Sequence, residues 1–285
     1  MPLAIECFAI SHIGNYRKNN EDNYYIGKYL TLEEQSLLSQ EHRKYYSHNI
    51  TTDESENRIF AVSDGMGGHE YGEVASYIVV HALDKFNKEN LNRCTKKKEK
   101  FAYIQAFQKV IDIANREIND FAISKNVGDN MGATLSGVIV FSNEIAPFNI
   151  GDSETFIYEK GSLTKLTTDD NEASIFGNAN INNQESKGKR LTKYFGLPKS
   201  HGTLTATISK PISLKAGQIF ITATDGLTDS LTTDEISNII KNKTDTVGDT
   251  VNAILNKALS KDRGGRDNIT IVMMKITKKR KGDTK

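Results

Sequence analysis

The chain has 285 residues, 37% of them hydrophobic, enough for one large core and too apolar a mixture for wholesale disorder. Its 37 Lys and Arg balance 36 Asp and Glu, and the resulting net charge of +1 gives no global pull toward nucleic acid or anionic membrane. No apolar run reaches the roughly 18 residues that mark a membrane helix, so no membrane span is expected.

In chain order, residues 3–12 alternate loosely and read as a strand. Cys7 sits in this run as a core thiol. Neither it nor Cys94 lies in a C-x-x-C pair, which points to free thiols in a reducing compartment. The start, Met1-Pro2-Leu3-Ala4-Ile5-Glu6, lacks a signal-peptide pattern, and the expected location is cytoplasmic. Residues 11–22 form a polar turn region before a short strand at 24–26. Residues 29–57 are polar and read as an insertion rather than core, with Thr31 placed to cap a helical turn whose third position is Glu34.

Residues 59–62 are apolar and of strand length, and they stop at Asp64-Gly65. A helix is expected over 71–90, with Val74, Ile78, Ala82 and Phe86 on one face. The lysine-rich linker 96–100 leads into a second long helix, where Ile104, Phe107, Ile111, Ala114, Ile118 and Phe121 recur at helical spacing. From residue 131 the period changes to two. Strands are expected at 134–141 and 145–150, followed by a hairpin of 155–160 and 162–166 turning at Lys160-Gly161. The stretch 167–190 is rich in Asn, Asp, Ser and Gly and reads as a long, mobile, flap-like loop. Further strands at 203–208, 218–224 and 268–276 enclose helices at 233–242 and 246–260. A basic, disordered tail follows at 278–285. This order is not the steady alternation of a doubly wound sheet. It predicts an α+β layering of antiparallel sheets covered by helices, in one domain over 1–277.

Three acids share one local grammar. Asp64 and Asp225 each end a β-rich run and precede glycine, and Asp267 follows Gly264-Gly265-Arg266 and precedes the last strand. Carboxylates beside backbone that lacks Cβ atoms suit a compact, oxygen-liganded cation. Three unrelated turns are the plain alternative. Arg17, four residues before Glu21-Asp22, offers a guanidinium that grips phosphate bidentately.

Together these segments resemble the PPM (PP2C-like) metal-dependent serine/threonine protein phosphatases of bacterial type. The matching motifs are S-x-x-G-x-x-R-x-x-N-E-D at 11–22, DGMGGH at 64–69, Met131-Gly132-Ala133-Thr134, Asn149-Ile150-Gly151-Asp152-Ser153, Thr224-Asp225-Gly226-Leu227-Thr228-Asp229 and Gly265-Arg266-Asp267-Asn268. The resemblance implies a β-sandwich of two antiparallel sheets flanked by helix pairs, a four-layer αββα arrangement with metals at one end. It implies two Mn2+ or Mg2+ ions held by Asp64, the Gly65 carbonyl, Asp225, Asp267, Glu21 and Asp22, and a weaker third ion at Asp152 and Asp229. Arg17 would bind the substrate phosphate, and Asn268 would hydrogen-bond near Asp267. The substrates would be phosphoserine and phosphothreonine proteins, products of a serine/threonine kinase, and the default state is a monomer. The sequence departs from the family pattern at three places. Met66 follows Gly65 where animal members have His, which leaves His69 or a metal-bound water as the proton donor. Glu154 stands where Arg is usual, and Asp170 where His is usual. A phosphatase with an aspartyl nucleophile would need an acid at position 66. A catalytically weak domain that binds or senses a partner is the non-enzymatic alternative.

Overall fold

The computed structural model describes residues 3–39, 42–53, 58–66, 71–90, 97–141, 144–176, 190–242, 246–261 and 264–278. In chain order the strands are β1 (Leu3–His12), β2 (Asn23–Tyr25), β3 (Tyr45–Thr52), β4 (Ile59–Ser63), β5 (Gly65–Met66), β6 (Gly132–Ala133), β7 (Leu135–Phe141), β8 (Glu144–Ile150), β9 (Glu154–Glu159), β10 (Ser162–Lys165), β11 (Thr207–Ile208), β12 (Ile212–Ser213), β13 (Ile219–Ala223) and β14 (Ile269–Lys278). The helices are α1 (Leu32–Leu37), α2 (Gly72–Asn90), α3 (Lys97–Lys125), α4 (Glu172–Phe176), α5 (Asp225–Thr228), α6 (Thr233–Asn242) and α7 (Val247–Leu259). Among the described residues, no helix is long and apolar enough to cross a membrane.

Two antiparallel sheets stack face to face. One runs β10-β9-β13-β14-β1-β3, and the other runs β11-β8-β7-β4-β2 with β12 also on β8. Alternation along the strands divides the apolar residues among three layers of core. Val272, Met274 and Ile276 of β14 face Phe60, Val62, Val138 and Val140 of the other sheet. Ile269, Ile271 and Met273 of β14 point the other way, onto α6 and α7. Ile59 and Ala61 of β4 and Leu135, Ile139 and Phe141 of β7 point onto α2 and α3. The expected αββα order is therefore the one that forms. Covered on both faces, β4 and β7 are buried along their whole length and are mostly apolar, with Ser63 and Ser136 hydrogen-bonded.

Several local expectations need correction. The segment 29–57 is no surface addition. It supplies β3 as the edge strand on β1, in register from Ile5↔Thr52 to His12↔Tyr45, and it places Leu30 and Leu38 in the core between the sheets. The Thr31 capping box with Glu34 does form. On α2 the buried face is Ala75, Val79, Val80, Leu83 and Phe86, while Val74, Ile78 and Ala82 are only partly covered. A helix wedged between a sheet and a second helix buries a wider arc than a single stripe. The strand expected at 203–208 shortens to β11, because Ala206 is held instead by both ends of the Gln108 amide. The tail beyond Lys278, the loop residues 177–189, Cys94 and His69 lie outside the described residues.

Candidate functional site

Strand pairing alone brings the acids together. β1 and β14 pair with His12 opposite Ile269, so the segment after β1 meets the segment before β14. β13 pairs with β14 through Ala223↔Ile271, which carries Asp225 to the same end. In the other sheet, β2 pairs with β4 through Asn23↔Ser63, which sets Asp22 beside Asp64. The four carboxylates thus come from both sheets, at one end of the sandwich.

Hydrogen bonds then fix the loops. The Asn268 amide, almost fully buried, donates to the carbonyls of Ile13 and Asn19 at 2.9 Å each and accepts the Glu21 N–H at 2.8 Å. One side chain therefore holds both ends of the loop that carries Arg17. The Asn15 N–H donates to the Gly265 carbonyl at 2.6 Å, and its side chain donates to the carbonyls of Leu259 and Gly264. Gly14 has φ +82 and lies flush against the Asp267 and Gly265 carbonyls. On the Asp64 side, the Asp64 N–H donates to Thr134 Oγ1 at 3.0 Å, and Thr134 N–H donates to the Asp64 carbonyl at 2.9 Å. Thr134 Oγ1 also shares a 2.7 Å bond with Ser153 Oγ. Gly65 pairs with Ala133, and its missing Cβ lets the Gly72 and Glu21 carbonyls approach.

His12 lies under this loop, stacked on Tyr45, with Nδ1 accepting the Gly14 N–H at 2.8 Å. Burial, helped by the Lys44 charge, pushes its imidazole from 6.5 down to about 4. The unfolded chain then binds that proton more tightly than the folded one. The His12 contribution to stability is whole above pH 6.5 and is lost as pH falls toward about 4. Urea unfolding at pH 7 and pH 4.5 is expected to show the drop. His12→Asn, which keeps an acceptor for Gly14, is expected to flatten it; an unchanged pH slope in that variant rejects this account.

The cleft above these loops has a volume of about 1020 Å³, and Arg17, Glu21, Asp64, Gly65, Asp152, Asp225 and Asp267 all line it. Asp22 lies beneath, buried, with Oδ2 accepting from Thr224 Oγ1 at 2.8 Å. Asp229 is exposed at the end of α5 and is not part of the lining. Burial holds the Asp64 carboxyl well above the usual carboxylate range, and the charges of Asp22, Asp225, Asp267 and Asp152 add to the effect. Burial likewise raises Asp22, against the Thr224 bond and together with Asp267 and Asp225. Glu21 is raised by burial despite the Arg17 charge. Burial alone would lower Arg17, yet its bond to Asp267 and the neighbouring acids raise it.

Among the described residues, no three His, Cys, Asp or Glu side chains already stand as a metal-ligand group. Asp267 is instead held by Arg17, Nη2 to Oδ2 at 2.6 Å. The acids are neighbours within one field, and they are all oxygen donors, as hard divalent cations require. Glu154, one of the departures, forms an ion pair with Lys165, which also holds Asp169 at 2.6 Å. Asp170, another, accepts the Gly151 N–H at 3.1 Å. Sequence reasoning missed the far wall of the cleft, where Arg190, Thr192, Tyr194 and His201 stand. No spacing marks them, because their place depends on tertiary bonds: Glu172 N–H to the Arg190 carbonyl, Thr192 N–H to the Asp170 carbonyl, and Asn115 and Asn119 of α3 to the Leu197 carbonyl.

A family model described as Protein phosphatase 2C matches residues 45–261. The serine/threonine protein phosphatase PstP of Mycobacterium tuberculosis is 26% identical over 235 residues, which covers 80% of this chain and 37% of that protein. The serine/threonine phosphatase stp of Listeria innocua is 34% identical over 112 residues, 39% of this chain and 42% of its own length. The chain spans less than half the length of these curated relatives. The solved catalytic domain of PstP in complex with two manganese ions has the same fold, with a TM-score of 0.72 at 22% identity over 97% of this chain and 100% of that one.

Proposed function

The chain belongs to the protein phosphatase 2C family, and from that premise we propose that it hydrolyses phosphoserine and phosphothreonine on proteins with two Mn2+ or Mg2+ ions. One observation carries the reading: four further aspartates act on Asp64 from separate segments of the chain, with Arg17 at their edge. Such a concentration of like charge is costly without cations. Asp64, the Gly65 carbonyl, Asp225 and Asp267 would hold the ions, with Glu21 and Asp22 beside or beneath them. Asp152 lines the same cleft and would serve a weaker third ion; Asp229, outside the lining, would serve it only through waters.

When bound, the ions supply a water of lowered pKa and neutralise the charge that builds on the phosphoryl oxygens. The chain's own residues do the rest. Arg17 exchanges its bond with Asp267 for the substrate phosphate, since a guanidinium keeps its charge throughout. Asn268 keeps that arginine at a fixed distance from the acids. The hydroxyls of Thr134 and Thr224 orient Asp64 and Asp22. All the expected acids are present in the sequence, which does not favour a merely binding or sensing domain.

The test is phosphate release from phosphothreonine, phosphoserine and phosphotyrosine peptides with Mn2+, Mg2+ or excess chelator. Release is expected from the first two, with either ion, and none is expected in chelator. Undiminished release in chelator sinks the reading.

A further inference from the structure

A second cavity, of about 380 Å³, opens beside the cleft and shares Thr192, Leu197 and His201 with it. The wall between the two is firmly built. Thr192 N–H donates to the Asp170 carbonyl, Phe195 exchanges both backbone bonds with Ala133, and Gly196 N–H donates to Asn115 Oδ1 at 2.7 Å. Arg190, Thr192 and Tyr194 of this wall line the main cleft, whereas Lys193 lines only the second cavity.

Lys193 is a half-buried ammonium. Its Nζ donates to Thr207 Oγ1 at 2.9 Å and lies 3.5 Å from Asp170 Oδ1, too long for a full hydrogen bond. The other oxygen of Asp170 is taken up by the Gly151 N–H. An ammonium has three donors, so at least one remains for a ligand. Leu197 and Leu204 line the same cavity and offer apolar surface to a short aliphatic stem.

We propose that this cavity takes an acidic side chain that flanks the phosphorylated residue of the substrate polypeptide, its carboxylate on Lys193 and its methylenes on Leu197 and Leu204. The inference rests on the phosphatase reading of the adjoining cleft, and it commits that cleft to acid-flanked phosphopeptides. Asp170 is the positioning residue, because it ties Lys193 to the turn at Gly151 next to Asp152.

The experiment uses a phosphothreonine peptide with one glutamate moved through three positions on either side, and matched glutamine and phosphoserine versions. At one of these positions glutamate is expected to raise kcat/KM about tenfold over glutamine, the gain of one charge-assisted bond in a partly desolvated pocket. Lys193→Met is expected to bring the ratio to about one, and Lys193→Arg to restore part of it, with unchanged melting temperatures as the folding control. Fluorescence anisotropy of the same labelled peptides in chelator reads the ratio as binding, without turnover. No preference for glutamate in the unaltered protein, a preference for phosphoserine alone, or a preference that survives Lys193→Met overturns the proposal. Absence of phosphate release from every peptide counts against the hydrolase reading instead, and the anisotropy ratio still decides the cavity.

Discussion

Asp64→Asn is expected to abolish phosphate release, by about a thousandfold or more, and at the same time to raise the melting temperature at neutral pH. The first effect follows from the place of Asp64 at the centre of the acids, since a group on which the others converge is not replaced by a neutral amide. The second follows from linkage. Burial and four neighbouring acids hold the Asp64 carboxyl well above the ordinary range, so the folded chain binds this proton more tightly than the unfolded one. Stability from this group is therefore full below the ordinary carboxylate pKa of about 3.9 and declines as pH rises above it. Asparagine carries no charge and escapes that decline. A higher melting temperature than that of the unaltered protein is expected at pH 7. Added Mn2+ should stabilise the unaltered protein much more than the variant. Thermal melts at pH 7 with and without Mn2+, beside a phosphate-release assay, settle both halves. A variant that is both active and less stable contradicts the electrostatic account.

Gly14→Ala is expected to cause a large loss of stability for a single methyl group. Two costs combine. The residue has φ +82, a left-handed conformation that costs an L side chain about 1 kcal/mol. The added carbon would also collide with the backbone carbonyls of Asp267 and Gly265, the latter at 2.7 Å, and backbone cannot swing aside as a flexible side chain can. Together about 3 kcal/mol or more is expected, on the order of 10 °C in melting temperature. Relief of the collision would shift Arg17 relative to Asp267, so KM should rise as well. Gly161→Ala is the control: its φ is +85 and nothing lies within 4 Å, so only the conformational cost remains. Equal losses in the two variants would show that the close approach at Gly14 counts for nothing.

The sequence revealed the parts of this molecule that obey a local rule. Strands such as β7 and β8 were legible because their apolar residues follow the two-residue period of a strand. Asp64, Asp225 and Asp267 were legible because an acid at a strand end, with glycine next to it or close by, repeats three times. The strand β3 was not, because an edge strand reading Tyr-Tyr-Ser-His-Asn-Ile-Thr-Thr is only partly covered and carries no hydrophobic period. The face of α2 was displaced by one residue because its neighbours, α3 and the sheet beneath it, cannot be seen in a local pattern. Lys193 and Arg190 were invisible for a similar reason. Their positions follow from backbone bonds to residues 170–172, Glu172 N–H to the Arg190 carbonyl and Thr192 N–H to the Asp170 carbonyl, and from Lys193 reaching Thr207.

The position of β14 has a consequence for how the molecule is made. Among the described residues it is the last strand in chain order, yet it lies between β13 and β1 in the interior of its sheet. A nascent chain paused on the ribosome before residue 269 has β1 and β13 with bare edges and nothing to join them. Asp267 emerges only just ahead of that strand, so chemistry at the cleft has to wait until nearly the whole domain has left the exit tunnel. A copy ended early would be both inert and sticky, because unpaired strand edges recruit one another.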